Sequence, residues 1–323
     1  MKKRIIHLDL LKIIAMFLVS FYHIGYYYLD YGFMQNTHYI PNLNRIIMNI
    51  CAMSVPIFFT VSGALMLNKK YTNKKIVTKI INMIILIIFW SLLIDYPRWF
   101  LITLTGLYAV YPFIKQCFDK NTKLFYLIML LVFIMPFIYN FIIFIGTMFD
   151  IKNLINLKRT GLFTAYSLLY FMIGGVLFNV SVNKKIKPFL MIAFLIGLFL
   201  TSLEGYIVTN FNNAMFDNVN SSFPTVGALL MSGSVFLLFK DFQIKSEKVK
   251  NLIVIIASNC FAVYLFHLFL WSLLVKVIKI NSMDMFLCIL ICIFIDSIAI
   301  IVSIIISKIP YLKKNTSILI MNL

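Results

Sequence analysis

Long apolar runs recur along the whole chain, separated by short polar segments that are rich in lysine. A run of about 18 or more apolar residues is long enough to cross a bilayer as a helix. In lipid the backbone must form its hydrogen bonds within a helix or a closed barrel, and these runs lack the two-residue alternation of barrel strands. The sequence therefore predicts an all-α fold, a polytopic helical bundle in a membrane.

We predict ten transmembrane helices in a single integral-membrane domain that spans residues 1–323. The predicted helices cover residues 8–29, 44–68, 76–95, 98–117, 124–149, 162–183, 187–209, 224–240, 252–279 and 283–309. The first run follows a basic segment, as in a signal peptide. It is nevertheless read as a helix of the mature protein, because it is long, contains Asp9, Lys12 and His23, and lacks a small-residue cleavage site.

The chain has a formal net charge of +18, yet only 12% of its residues are charged, against about 25% in soluble domains. Most of the 29 lysines and arginines flank the apolar runs, in segments that are cytoplasmic if the N-terminus is cytoplasmic. Positive charge accumulates on the cytoplasmic side of membrane proteins. This pattern predicts that both termini are cytoplasmic, and it argues against a nucleic-acid partner.

The first predicted helix carries ionisable side chains that are costly to place in a bilayer. Lys12 and His23 are eleven residues apart, which puts them about 20° apart on one helix face and about 16 Å apart along the axis. Asp9 lies three residues before Lys12 on the same side. We expect this polar stripe to face a protein-lined cavity. The alternative is that Asp9 and Lys12 pair near the interface while Lys12 extends toward water.

His267 lies as far into its predicted span as His23 does into the first, and both spans start on the cytoplasmic side. The two imidazoles are therefore expected at similar depth, where they could share one site. The alternative is that each histidine is a buried packing residue. Two histidines without a cysteine or carboxylate cluster make a poor zinc site, so no metal site is expected. Asp296 lies in the middle of the last predicted span, where it could pair with Lys12 or a histidine or bond neighbouring hydroxyls, and the sequence does not choose among these. Glu204 also lies in a predicted span, and the sequence assigns it no role.

Five sequence blocks, taken together and in this order, resemble the membrane acyltransferase-3 family. The first has a basic Arg4, the Leu8-Asp9 pair, and Lys12 separated by ten residues from His23. The other blocks are Phe58-Phe59-Thr60-Val61-Ser62-Gly63, then Trp99-Phe100-Leu101 with Gly106-Leu107-Tyr108, then Tyr170-Phe171-Met172-Ile173-Gly174, and finally the segment from Ala257 to His267. The chain differs from the usual family pattern at Pro97-Arg98, where a histidine is common, and in having lysines in place of an arginine pair after the second span.

The resemblance implies a bundle of ten spans and an O-acyltransferase, most often one that moves acetyl from acetyl-CoA to a hydroxyl of a carbohydrate or a lipid-linked glycan. It implies His23 as a general base or a transient acyl carrier, with Lys12 holding the thioester end or a phosphate of the donor. Acetyl-CoA is then a co-substrate, with no bound cofactor. The residues that we assign to substrate binding are Asp9, Ser62, Trp99, Tyr108 and His267. Lys74, Lys75 and Lys79 are expected to attract the coenzyme A head, the alternative being that they only set orientation.

The heavy use of Ile, Asn and Lys suggests an AT-rich bacterial genome. We therefore expect a multi-pass protein of the bacterial plasma membrane, surrounded by lipid, that acts on capsule or exopolysaccharide, with polysaccharide-assembly proteins as candidate partners. The rival hypothesis is a polysaccharide exporter or flippase, since ten spans around a polar cavity also suit a transporter. Transporters often show paired half-repeats and broken helices. No clear repeat is visible, although Gly174-Gly175 could mark a break.

Overall fold

A computed structural model describes residues 4–29, 42–93, 99–149, 151, 165–212, 219, 223–278 and 283–308. Within these ranges the chain is helical and contains no β-strand beyond one isolated bridge, between Leu29 and Met283. We number ten helices in chain order: α1 (Ile6–Tyr28), α2 (Leu43–Leu67), α3 (Asn73–Leu93), α4 (Trp99–Lys120), α5 (Thr122–Phe133 through Tyr139–Met148), α6 (Tyr166–Leu177), α7 (Lys187–Asn212), α8 (Val226–Phe239), α9 (Glu247–Val277) and α10 (Met285–Lys308).

Seven of the described helices, namely α1, α2, α3, α5, α7, α9 and α10, are long and apolar enough to cross a membrane. Helices α6 and α8 are apolar but shorter. The predicted all-α polytopic bundle is confirmed, while the number of crossings and the side on which the termini lie stay predictions. The start of the sixth predicted span, the turn around Pro97 and most of the Asn-rich stretch before Phe223 fall outside the described residues.

Side-chain caps mark where several helices begin. The first N–H groups of a helix have no partner within it, so a side-chain oxygen just before the helix stabilises its start. Asn42 caps α2, Asn121 caps α5, Thr225 caps α8 and Ser246 caps α9, each accepting a hydrogen bond from a backbone N–H three residues later. Polar residues between the apolar runs thus help to set the boundaries of these helices.

Helix α2 lies at the centre of the bundle, packed against α1, α6 and α8. Helix α1 in turn packs against α9 and α10, and α7 packs along α8. Helices α3 and α4 form a neighbouring pair that continues into α5. Large apolar side chains on α3, α5, α7 and α10 remain exposed, as expected of surfaces that face lipid. The functional candidates on α1, α2 and α9 therefore lie in the interior.

The predicted span 124–149 is not one regular helix. A π-helical turn at Ile134–Ile138 interrupts α5, and it contains Pro136. Proline has no N–H to donate and its ring crowds the carbonyl one turn earlier, so the helix widens there. Phe137 is turned into the core as a result, where its ring packs 6.2 Å from that of Tyr170.

Candidate active site

The beginning of α1 carries an ion cluster in which Asp9 and Lys12 are buried and Arg4 is exposed. The Arg4 guanidinium donates two hydrogen bonds to the Asp9 carboxylate, at 2.9 Å to Oδ2 and 3.1 Å to Oδ1. The Lys12 ammonium lies 3.8 Å from Asp9 Oδ1, and both Lys12 and Asp9 are more than nine-tenths buried. Arg4 also donates to the Ser258 hydroxyl of α9 at 2.7 Å. The cluster therefore joins α1 to α9 and holds Lys12 inside the bundle, so Lys12 does not extend into water.

A cavity opens beside Lys12 at the junction of α1, α2, α4 and α9. Four of the five sequence blocks supply its walls, which include Lys12, Phe58, Ser62, Phe100, Cys260 and Tyr264. The Phe100 ring contacts both Phe58 and Tyr264, with centroids 5.9 Å and 5.0 Å away. The cavity thus has aromatic walls and one ammonium group. The cavity is small, about 30 Å³, so it has room for one water-sized group beside the ammonium.

The two histidines meet further along α1. The ring centroids of His23 and His267 are 5.4 Å apart, with the planes tilted by 41°. Their predicted common depth therefore corresponds to a direct contact between α1 and α9. Tyr264, which lines the cavity, lies one turn before His267, with ring centroids 6.1 Å apart. This aromatic contact connects the cavity to the imidazole pair.

Polar contacts also join α10 to the same helices. The Ser20 hydroxyl of α1 donates to Asp296 Oδ1 at 2.7 Å, and the Ser303 hydroxyl donates to Asn259 Oδ1 at 2.6 Å. Ser20 lies one helical turn before His23 on α1. Asp296 thus bonds a neighbouring hydroxyl, one of the arrangements that the sequence left open.

Three lysines surround an open depression at the start of α3. Lys74, Lys75 and Lys79 line it together with Tyr71, Thr72 and Thr78. Lys74 and Lys75 are exposed. The Lys79 ammonium instead turns inward and lies over two aromatic rings, 5.4 Å from the Tyr71 centroid and 5.1 Å from that of Tyr108. Burial raises the pKa of the Tyr71 phenol, so this ring stays neutral and contacts Lys79 through a cation–π interaction.

The remaining residues assigned to substrate binding fall in different places. Ser62 lines the cavity. Tyr108 is buried beneath Lys79, and His267 is buried against His23. Trp99 is exposed at the start of α4, and its ring centre lies 6.0 Å from that of Phe223 and 6.2 Å from that of Phe100. Among these side chains, Ser62 has the most direct access to the cavity beside Lys12.

Sequence reasoning missed several residues of the site. Phe58, Phe100 and Tyr264 were quoted as parts of the blocks without any role, and the structure puts all three in the cavity wall. Arg4 was read as a basic residue before the first helix, and it binds Asp9. The contact between Arg4 and Asp9 could have been predicted from the sequence, because the two residues are five apart and the long arginine side chain can span one helical turn.

Glu204 lies at a separate cavity of about 230 Å³ between α5, α7 and α8. Three phenylalanines of α5, Phe137, Phe141 and Phe144, line one side of it. None of the cavity's lining residues is shared with the cavity beside Lys12. Glu204 therefore does not belong to the candidate active site.

Comparison with protein families gives one match, to a model described as an acyltransferase domain. It matches residues 5–97 and 92–307, which together make up most of the chain. No curated protein matches the chain, and no solved structure matches it. The matched region includes every helix that contributes to the cavity and to the imidazole pair.

Proposed function

The chain belongs to the acyltransferase-3 family, and from that premise we propose that it moves acetyl from cytoplasmic acetyl-CoA to a hydroxyl of a cell-surface or lipid-linked polysaccharide. The observation that carries the proposal is the arrangement along α1. Lys12 lines a cavity that four helices share, and His23 lies about 16 Å further along the same face against a second imidazole. A thioester donor long enough to span this distance would place its anionic end near the lysines and its reactive end near the imidazoles.

The chemistry needs a base, because a sugar hydroxyl is a weak nucleophile until its proton is removed. His23 takes that proton, and the hydroxyl oxygen forms a bond to the acetyl carbonyl carbon. The C–S bond of the thioester then breaks. The proton held by His23 passes to the departing sulfur, so coenzyme A leaves as a thiol and the imidazole returns to its neutral form.

Lys12 has two features that suit it to hold the donor. Its ammonium lines the cavity, and the neighbouring carboxylate of Asp9 is already bound through both oxygens by Arg4. The Asp9 carboxylate is therefore shared between Arg4 and Lys12. An anionic or strongly polar group of the donor would interact favourably with the Lys12 ammonium within the low-dielectric interior.

A direct test measures release of the coenzyme A thiol by purified protein that is given acetyl-CoA and a de-O-acetylated polysaccharide. Wild type should release thiol only when the acceptor is present. Lys12→Met should slow release about thirtyfold, which corresponds to roughly 2 kcal/mol for a lost hydrogen bond to a charged group. Asp9 keeps its Arg4 partner in this variant, so the fold should persist.

Lys276→Met is the matched control for this test. Lys276 is an exposed residue near the end of α9 and does not line the cavity, so its loss should leave the rate unchanged. Thiol release without an acceptor would indicate a hydrolase. The absence of any release across acceptors, together with reduced surface polymer in a deletion strain, would replace the transferase with the exporter.

The three lysines at the start of α3 should bind the phosphates of coenzyme A. Lys74→Met and Lys75→Met should each raise the KM for acetyl-CoA roughly fivefold, since an exposed charge pair contributes about 1 kcal/mol. Lys79→Met should raise it further, because its ammonium is held in place by Tyr71 and Tyr108. The wild-type KM should also rise with salt as these charges are screened.

Lys123→Met is the control for the lysine variants. Lys123 is an exposed lysine at the start of α5, and it lies outside the depression. If its replacement raised the KM for acetyl-CoA as much as Lys79→Met does, the effect would be one of general surface charge. In that case the three lysines would serve orientation in the membrane and would not bind the donor.

A further inference from the structure

The hydrogen bonds of His267 fix which of its ring nitrogens carries the proton. Nδ1 lies 3.0 Å from the Val263 carbonyl oxygen and 2.9 Å from that of Tyr264. A carbonyl oxygen can only accept, so Nδ1 must donate, and in the neutral ring the lone pair is then on Nε2. His267 as a whole is 1% exposed. His267 therefore presents a fixed hydrogen-bond acceptor in the interior of the bundle.

Within the described part of the chain, nothing donates to this acceptor. Nε2 of His267 is buried and has no hydrogen-bond partner among the described residues. Buried polar atoms in proteins are almost always bonded, so an exception calls for an explanation. The neighbouring imidazole is His23, with centroids 5.4 Å apart. With the two rings this close, His23 is the side chain placed to donate to Nε2, at a donor–acceptor distance of about 2.7–3.2 Å.

We propose that His267 is a positioning residue: its Nε2 accepts a hydrogen bond from the ring N–H that neutral His23 already carries, so that the other ring nitrogen of His23 faces the acceptor hydroxyl and takes its proton. This inference rests on the proposed transferase function. A protonated imidazole carries two N–H groups, and in a water-excluded interior each of them needs an acceptor. A catalytic base is commonly oriented by a third group in this way. Here the orienting group is a neutral imidazole, fixed by two backbone carbonyls.

The location of His267 distinguishes this role from direct substrate binding. Tyr264, one turn earlier on α9, lines the cavity beside Lys12, whereas His267 is not among the residues that line it. A residue that only binds substrate would be expected to affect KM. A residue that stabilises protonated His23 affects the chemical step, because that charge exists only once the proton has been transferred.

The test compares His267→Leu, which keeps the bulk but removes the acceptor, with His267→Gln, whose amide oxygen can still accept. We expect His267→Leu to lower kcat about a hundredfold with the KM values for acetyl-CoA and acceptor unchanged. His267→Gln should recover at least about tenfold of that loss. In a His23→Ala background, His267→Leu should have no further effect, since residues that act as one unit are not additive.

Thermal unfolding of both variants, in parallel with wild type, separates this role from a purely structural one. Suppose that both variants melt at the wild-type temperature but His267→Gln has no higher kcat than His267→Leu. Acceptance of a hydrogen bond is then not what His267 supplies, and the proposal is overturned. The proposal is equally overturned if His267→Leu raises KM without lowering kcat, or if His267→Leu still lowers kcat in the His23→Ala background. A wild type that transfers no acyl group refutes the proposed function, and this inference with it.

Discussion

Cells that carry His23→Ala should make polysaccharide without O-acetyl groups, at an unchanged amount of polymer on the surface. Removal of a general base typically slows a reaction by a factor of about 10² to 10⁴, and the alanine methyl group that replaces the imidazole cannot take the hydroxyl proton. The neighbouring ring on α1, Tyr22, is a phenol and a poor base near neutral pH. The measurement is the acetyl signal per sugar, by proton NMR, in cells with wild type, a deletion or the variant at equal expression.

His7→Ala provides the matched control for this experiment. His7 lies on the same helix and is also part-buried, but it is at the first turn, about 24 Å from His23 along the axis. Acetylation should remain normal in this variant. If His23→Ala instead leaves acetyl per sugar intact while the amount of surface polymer falls, the transferase is wrong and the exporter hypothesis takes its place.

The sequence was most informative where the bilayer restricts the chain. A backbone in lipid must be helical or form a closed barrel, so the apolar runs predicted the helices that the structure contains. Depth was also predictable, because each residue advances a fixed distance along a helix axis. That is why counting from the ends of two spans brought His23 and His267 to the same level, and the structure places their rings in contact.

Lateral neighbours were much harder to predict, because hydrophobicity does not say which helix packs beside which. Asp296 could have met Lys12, a histidine or a hydroxyl, and only the contact of α10 with α1 selects Ser20. Lys79 resembles the surface lysines beside it in sequence. Its ammonium turns inward because α4 brings the Tyr108 ring beneath it. Roles that depend on a partner from another helix were therefore not available from one sequence.

The residue before Gly63 lines the cavity, and Gly63 itself sets how closely α2 approaches α6. A Cβ at Gly63 would lie 1.7 Å from the Phe171 carbonyl oxygen, and one at Gly174 would lie 1.9 Å from that of Thr60. Both obstacles are backbone atoms, which cannot move aside as a side chain can. Small residues allow membrane helices to approach this closely, which accounts for the glycine in each of these two sequence blocks.

Gly63→Ala and Gly174→Ala should therefore each destabilise the protein by more than about 4 kcal/mol, beyond the usual range of point substitutions. Gly106→Ala is the matched control, because it is also a helical glycine but has nothing within 4 Å of the added methyl group. It should be neutral or stabilising, since alanine favours a helix by about 1 kcal/mol over glycine. Thermal unfolding in detergent measures all three. If Gly63→Ala and Gly106→Ala had the same melting temperature, α2 and α6 would not cross this closely.

Gly63→Ala and Gly174→Ala should lose activity as well as stability, because both change how α2 packs against α6. Ser62 and Phe58 on α2 form part of the cavity wall, and Lys12 reaches that cavity from α1, which packs on α2. If α2 is pushed away from α6, it must shift against α1 or tilt, and either movement changes the cavity. A fraction of Gly63→Ala that still folds should therefore show a raised KM for acetyl-CoA, whereas Gly106→Ala keeps the wild-type value. A folded Gly63→Ala with wild-type kinetics would show that the α2–α6 crossing does not shape the site.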